Sequence, residues 1–177
     1  PLRPRGWLQL TAKFERQSPD VEPHKYLLIS LHDCSMRYDK FPYPVRQIQG
    51  TLEMDGRHWS FRDLEGRNDS AYISCAGRWL PTEPDGGELW LDLVGSDIPL
   101  EDELREALQP AAQRVWSSLR PRGSVDHVTV GLGYRSSDGR CILDVRAQKW
   151  SRSQNVEGRS ISIDPVAFPY RMDHVTG

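Results

Sequence analysis

The chain is dominated by short segments in which every second residue is apolar. The first runs through Leu8, Leu10 and Phe14, with polar residues between them. Successive side chains of a β-strand point to opposite faces, so this period of two is typical of a strand that buries one face only. Similar rows recur along the chain: Leu27, Ile29 and Leu31; Ile48, Leu52 and Met54; Leu89, Leu91 and Leu93; Val128, Val130 and Leu132. The pattern predicts a mainly β fold of antiparallel strands.

Turn and helix signals complete this prediction. Asp55-Gly56 and residues 136–139 separate neighbouring rows, as in β-hairpins, and a last short row at Ile161 and Ile163 predicts a further strand. Between residues 97 and 119 the apolar residues instead follow helical spacing. Asp97 is a candidate N-cap, and Pro110 is expected to break or kink the helix midway. We therefore expect one short kinked helix at about 97–119.

Two short sequences occur twice in the same order. Leu-Arg-Pro-Arg-Gly stands at residues 2–6 and again at 119–123, and Phe-Pro-Tyr stands at 41–43 and again at 168–170. These echoes predict a repeating unit of about 120 residues, because repeat proteins reuse one structural unit along the chain. The predicted repeat halves are 2–50 and 119–177, flanking 51–118. The competing explanation is that Pro and Gly recur at strand entrances for local reasons.

The organisation suggested by this repeat is a single segment, 1–177, of a longer protein. The chain starts at Pro1 rather than at a Met, and it shows no signal peptide. We therefore expect either a processed protein or a piece of a larger one.

Charge and hydropathy exclude two classes of partner or location. The chain carries 23 Lys and Arg against 25 Asp and Glu, and the cations are interleaved with acids. Nucleic-acid binders instead concentrate basic residues in a patch or stripe, so we expect no nucleic acid as a partner. The longest aliphatic run is 27–29, whereas a membrane-spanning helix needs roughly 20 apolar residues. No transmembrane segment is expected within this sequence.

Motifs of known catalytic or metal-binding chemistry are absent from the sequence. The five histidines include Asp126-His127 and Asp173-His174, but neighbours on a strand point to opposite faces and form no dyad by themselves. Cys34, Cys75 and Cys141 lack the short spacing of zinc ligands. They are interpreted as buried free thiols, with one disulfide as the alternative. We expect no enzyme, no cofactor and no metal.

The stretch at residues 41–79, FPYPVRQIQGTLEMDGRHWSFRDLEGRNDSAYISCAGRW, resembles the AsmA-like and TamB-like envelope proteins. Residues 87–108, GELWLDLVGSDIPLEDELREAL, resemble the bridging portion of AsmA-related proteins with large repeat units. The resemblance covers nearly the whole chain and depends on Gly, Pro and strand alternation. It implies a curved antiparallel sheet that forms an open, repeating groove with an apolar concave face.

The resemblance also implies a function. In such a protein the groove takes up phospholipid acyl chains in the periplasm, and its partners are lipid and neighbouring repeats of a chain anchored in a membrane elsewhere. The lipid-binding residues would be the apolar rows: Leu8, Leu10, Phe14, Leu27, Ile29, Leu31, Ile48, Leu52, Met54, Leu89, Leu91, Leu93, Val128, Val130 and Leu132.

An apolar strand face must be covered by something, and the residues leave two solutions open. The sheet either folds on itself as a sandwich or keeps part of its face open for a ligand. A sandwich would favour an adhesion or carbohydrate-binding module with exposed Trp and Tyr at its site, or a structural spacer. The repeat and the resemblance favour the groove.

Overall fold

A computed structural model describes residues 5–82 and 86–149 in full and the backbone of residues 166–173. Within these described residues, nine strands and two helices follow one another. They are β1 (Arg5–Glu15), β2 (His24–Tyr38), β3 (Phe41–Asp55), β4 (His58–Asn68), β5 (Ala71–Thr82), β6 (Gly86–Pro99), α1 (Asp102–Ala107), α2 (Pro110–Leu119), β7 (Ser124–Arg135), β8 (Cys141–Lys149) and β9 (Val166–Asp173). The predicted strand at Ile161 and Ile163 lies outside the described residues.

All nine strands belong to one sheet, in which each strand pairs with its neighbour in sequence. The order is β1 to β9 without a crossover, and every pairing is antiparallel. The sheet does not close, because β1 and β9 are its two edges. The predicted mainly β, open antiparallel fold is confirmed, and the described strands do not divide into the two facing sheets of a sandwich.

The helical segment connects β6 to β7 and is shorter than expected. Leu108 is extended, with φ −73° and ψ 155°, and Pro110 occupies the first turn of α2. The break predicted at Pro110 is confirmed, because proline fits a first helical turn and disrupts a helix interior. The helix starts at Asp102 and not near 97, since Asp97 belongs to β6, where Ile98 pairs with Val125 of β7.

Both predicted hairpin turns are confirmed. The β3–β4 turn contains Gly56 at φ +62°, and the β7–β8 turn contains Gly139 at φ +66°. These left-handed conformations suit glycine, which has no Cβ to clash with the following peptide.

Two bulges with the same design interrupt the ladder near its middle. Asp33 in β2 has φ +50° opposite Gly6, and Asp63 in β4 has φ +52° opposite Gly50. The strand register shifts at both places. A bulge bends its strand and increases the local twist, so these positions give the sheet its curvature.

The two sequence echoes fall six strands apart. One Leu-Arg-Pro-Arg-Gly copy runs into β1 and the other into β7, while one Phe-Pro-Tyr copy begins β3 and the other lies in β9. Residues 2–4, 150–165 and 174–177 of the predicted halves lie outside the described residues. The placement agrees with a six-strand unit, and the repeat itself stays a prediction.

The buried core is small and lies mainly at one end of the sheet. Tyr43, Ile48, Ala71, Ile98 and Ala107 are at most 9% exposed, and no large side chain of the described residues is completely buried. Helix α1 contacts β3, and Glu103 in α1 accepts a hydrogen bond from Asn68 at the end of β4. The core is therefore the place where α1 covers the end of the sheet.

No helix within the described residues combines the length and the hydropathy that crossing a bilayer requires.

Candidate functional site

The strand register shows which side chains share a face of the sheet. Antiparallel partners lie side by side on the same face. Leu10 pairs with Ile29, Ile29 with Leu52, and Leu52 with Phe61. Four consecutive strands therefore place large apolar side chains in one continuous row.

The same row continues through the second half of the sheet. Leu91 of β6 lies between Gly77 of β5 and Leu132 of β7, and Leu132 pairs in turn with Leu143 of β8. A second row lies beside the first, two residues away along each strand. It is formed by Cys75 of β5, Leu93 of β6, Val130 of β7 and Val145 of β8, each paired with the next.

We call the resulting surface of β1 to β8 the apolar face. Its large side chains are Leu8, Leu10, Phe14, Leu27, Ile29, Leu31, Leu52, Met54, Trp59, Phe61, Trp79, Leu89, Leu91, Leu93, Val128, Val130, Leu132, Leu143 and Val145.

The structure brings fourteen of the fifteen predicted binding residues together on the open part of this face. The exception is Ile48, which is only 9% exposed. Its side chain lies over Gly66, where an added Cβ would come within 3.1 Å of Ile48 Cγ1. Ile48 belongs to the small core, so the prediction that it lines an open surface does not fit its burial.

The list predicted from the sequence omitted several members of the face. Trp59, Phe61, Leu143 and Val145 belong to strands with the same alternation, and this alternation was the signal that could have found them. Trp79 lies directly over Gly87, whose missing side chain makes room for the indole ring. Trp79 is thus a packing residue of the sheet, and not a free stacking platform.

Exposure of the apolar face is greatest at β1. Leu8 is 60% exposed, Leu10 56% and Phe14 63%, whereas the corresponding residues of β6 and β7 are half-buried by their neighbours within the sheet. Burial of apolar area is favourable by about 25 cal/mol per Å². Contiguous exposed apolar surface of this kind is typical of interaction sites.

The opposite face carries ion pairs between strands, together with the exposed apolar side chains of Trp7, Leu80 and Trp90. Glu53 of β3 pairs with Arg62 of β4, and Arg135 Nε of β7 lies 2.8 Å from Glu88 Oε1 of β6. Tyr26 Oη donates to Glu53 Oε1 at 3.0 Å. The continuous apolar rows and the ion pairs therefore lie on opposite faces, which makes the sheet amphipathic.

Titratable groups of the apolar face show no catalytic arrangement. Burial, with a smaller contribution from the Asp92 carboxylate, raises the pKa of the Cys75 thiol to about 11. Such a thiol is protonated at neutral pH and weakly nucleophilic. Cys34, Cys75 and Cys141 are all free thiols, but only Cys34 is buried as the sequence predicted, and Cys75 and Cys141 are half-buried. Cys34 Sγ donates to the carbonyl oxygen of Trp7 at 3.1 Å.

Two of the described histidines, His24 and His58, line one shallow concavity beside the β3–β4 turn, whereas His127 lies on β7. His24 Nε2 lies 2.7 Å from Asp55 Oδ1 at the exposed end of β2, and His58 begins β4 beyond the same turn. Asp126 and His127 are successive residues of β7, and Lys149 Nζ lies 3.3 Å from Asp126 Oδ1. His174 lies outside the described residues.

Among the concavities of the described surface are two shallow ones that lie away from the middle of the apolar face. One lies between α1 and α2, near Arg105 and Trp116. The other surrounds the β3–β4 turn near Gly56. The apolar face itself is an open surface and not an enclosed pocket.

No family model, curated protein or solved structure matches this chain. The resemblance to AsmA-like and TamB-like envelope proteins therefore stays a prediction from the sequence. What the geometry adds is the amphipathic open sheet described above.

Proposed function

We propose that this chain is a non-enzymatic segment of an AsmA-like cell-envelope protein and that its apolar face holds or conducts phospholipid acyl chains. The supporting observation is the continuity of that face across β1 to β8, together with the exposure of its largest side chains on β1. In this proposal the segment lies in the periplasm and belongs to a longer, membrane-anchored chain with neighbouring repeats.

The dimensions of the face suit a long aliphatic ligand. Strands are spaced about 4.8 Å apart, so the eight strands of the face span roughly 34 Å along the sheet. Each acyl methylene transferred from water to an apolar surface contributes about 0.8 kcal/mol. This attraction is not directional, so it requires no conserved polar motif and is consistent with the soft sequence pattern.

Among the described elements, α1 covers one end of the apolar face, and the rest of the face is open. Helix α1 contacts β3 where Tyr43 and Ala71 are buried. The strands themselves pack only edge to edge within a single sheet. An acyl chain would therefore lie across the open middle of the sheet, beside the row that contains Leu91.

The test compares two substitutions in β6, one on each face of the sheet. Leu91→Asp places a charge in the middle of the apolar face, and Val94→Asp places the same charge on the opposite face, where Val94 lies between Ser74 and Thr129. An uncompensated charge in an apolar binding surface costs several kcal/mol. We expect Leu91→Asp to lower lipid retention at least about tenfold, and Val94→Asp to leave it unchanged.

The measurement is native mass spectrometry of protein purified from a lipid-containing host, followed by titration with a fluorescent fatty acid. Circular dichroism of both variants checks that strand content is kept. Equal lipid loading of the two variants would contradict the proposal. Absence of lipid and fatty-acid binding in the parent protein would favour a structural spacer, and hits in a glycan screen would favour a carbohydrate-binding module.

A further inference from the structure

Strand β1 is the most exposed strand among those whose side chains are described. All of its 11 residues are exposed, and Trp7 reaches 80%. One edge of β1 pairs with β2, and no described strand pairs with the other edge. The free edge carries a row of backbone N–H and C=O groups, which is a template for pairing with another chain.

The sequence of β1 does not protect this edge. The run from Trp7 to Ala12 contains no charged residue and no proline, and Arg5, Lys13 and Glu15 lie toward the two ends of the strand. Natural edge strands are commonly short, or carry charges and prolines along their length, because these features prevent edge-to-edge pairing. A long edge with an uncharged middle therefore favours a partner strand.

We propose that β1 is a self-recognition edge, on which β1 of a second copy of this chain pairs antiparallel about a two-fold axis at Leu10. The N-terminal end of each strand then lies opposite the C-terminal end of the other. Each contact occurs twice, because the pairing is isologous. Antiparallel pairing along the 11 residues of β1 would form about ten main-chain hydrogen bonds.

The charges of β1 select this register. Arg5 of each copy lies opposite Glu15 of the other, so that two cross-strand pairs of opposite charge form. Lys13 lies opposite Trp7, the most exposed aromatic side chain of the strand, which suits a cation–π contact. A shift of the axis to Gln9 would instead set Arg5 opposite Lys13 and so place like charges together.

The sizes of the side chains on the apolar face favour the same register. Phe14 lies opposite Gly6, and Leu8 lies opposite Ala12, so that each large side chain meets a small one. An aromatic side chain that covers a glycine of the neighbouring strand stabilises a sheet edge. Leu10, which is 56% exposed in the single chain, would be covered by its counterpart.

Such a pair would join the apolar faces of two copies into one surface. Leu8, Leu10 and Phe14 belong both to the edge strand and to the apolar face. A two-fold axis perpendicular to the sheet keeps both apolar faces on the same side, so the apolar rows would continue from one copy into the other. Pairing through β1 does not require lipid, and it leaves the edge at β9 for the neighbouring repeats of the proposed function.

The experiment measures dimerisation of the full chain by sedimentation equilibrium after reversal of the charges at the ends of β1. Glu15→Arg places arginine opposite arginine, and Arg5→Glu places glutamate opposite glutamate, so each change should weaken dimerisation at least about tenfold. The two changes together restore both pairs in the reverse direction and should bring dimerisation back to within about threefold of the parent. Asp92→Arg on β6 changes the net charge as much as Glu15→Arg does, and this control should dimerise like the parent.

A cysteine at the two-fold axis provides a second measurement. Leu10→Cys should be cross-linked to a second copy by a short bismaleimide, because directly opposite Cβ atoms of an antiparallel pair are about 4.5–5.5 Å apart. The parent and Asp92→Cys report the background from the native thiols.

Three results would overturn the proposal. The first is a parent that stays monomeric at submillimolar concentration, and the second is a double variant that dimerises no better than the single variants. The third is a dimer that survives Glu15→Arg but is lost in Leu91→Asp, since the second copy would then cover the apolar face and not the edge.

Discussion

Gly50 in β3 is the position at which a single methyl group is expected to damage the sheet most clearly. Its φ is +134°, a conformation that residues with a Cβ rarely adopt. A Cβ at this position would lie 2.5 Å from the Asp63 carbonyl oxygen and 2.8 Å from Leu64 Cα. Both atoms belong to the backbone of the β4 bulge, so no side chain can rotate away to make room.

The expected loss of stability in Gly50→Ala has two causes, the unfavourable backbone conformation and the close contact with the β4 backbone. Holding an alanine in this backbone region costs about 1–3 kcal/mol, and relieving an overpacked contact costs a further 1–3 kcal/mol or so. Alanine restricts the unfolded chain and returns about 0.4–1 kcal/mol. We therefore expect Gly50→Ala to lower the free energy of unfolding by about 3 kcal/mol, within a range of about 1–5 kcal/mol, which is a large share of the stability of a typical domain.

Gly139 in the β7–β8 turn provides the matched control. Its φ is also positive, at +66°, but a Cβ there would meet nothing within 4 Å. Gly139→Ala should therefore cost only about 1 kcal/mol, the left-handed penalty less the gain in the unfolded state.

The assay for both glycine variants is equilibrium urea unfolding, followed by tryptophan fluorescence and by circular dichroism. The midpoints of the two probes should coincide if unfolding is two-state. If Gly50→Ala costs no more than Gly139→Ala, then the close approach of β3 to the β4 bulge is not a structural requirement, and the account of how the sheet bends is wrong.

Two further predictions concern titratable groups. The pKa of Tyr43 is raised by burial from 10 to about 12, so the hydroxyl is neutral in both folded and unfolded chains below pH 10, and the unfolded chain alone ionises between pH 10 and 12. The free energy of unfolding should therefore fall by about 3 kcal/mol over that interval. Urea unfolding should show a stability difference between the parent and Tyr43→Phe that is independent of pH below 9 and shifts by this amount in favour of Tyr43→Phe between pH 10 and 12. Burial raises the pKa of Cys75 from 9 to about 11, so its thiol should react with iodoacetamide about 100-fold more slowly at pH 8 in the folded protein than in urea. Site-resolved mass spectrometry measures both rates. Equal rates would show that the thiol is not buried on the apolar face.

The strands themselves were predictable because their signal is local. Rows such as Leu27, Ile29 and Leu31 fix which side chains share a face through the period of the backbone alone. The turn at Gly56 and the break at Pro110 likewise depend on the conformational limits of single residues. The helix start was misplaced because Asp97 and Pro99 suit a helix N-terminus in isolation, whereas pairing with β7 keeps them in β6.

Much of the candidate binding surface was also predictable. Fourteen of its residues could be found from alternation, whereas Ile48 could not be separated from them. Its burial depends on the bulged region of β3 and β4 and on Gly66 beneath it. The sequence pattern carries no information on which apolar row is covered by another element.

The sequence by itself therefore determined a β-rich chain with one apolar and one polar face, because alternation along a strand is a property of neighbouring residues. Only the tertiary structure decided that the described strands form one open sheet and not two facing ones, since the same apolar rows would serve either arrangement. It also decided that Asp69 meets Glu101 and Glu103, with one carboxylate oxygen from each within 4.8 Å of the others. Asp69 is more than 30 residues away from Glu101 and Glu103 in the sequence. Their proximity depends on how α1 folds back onto β3.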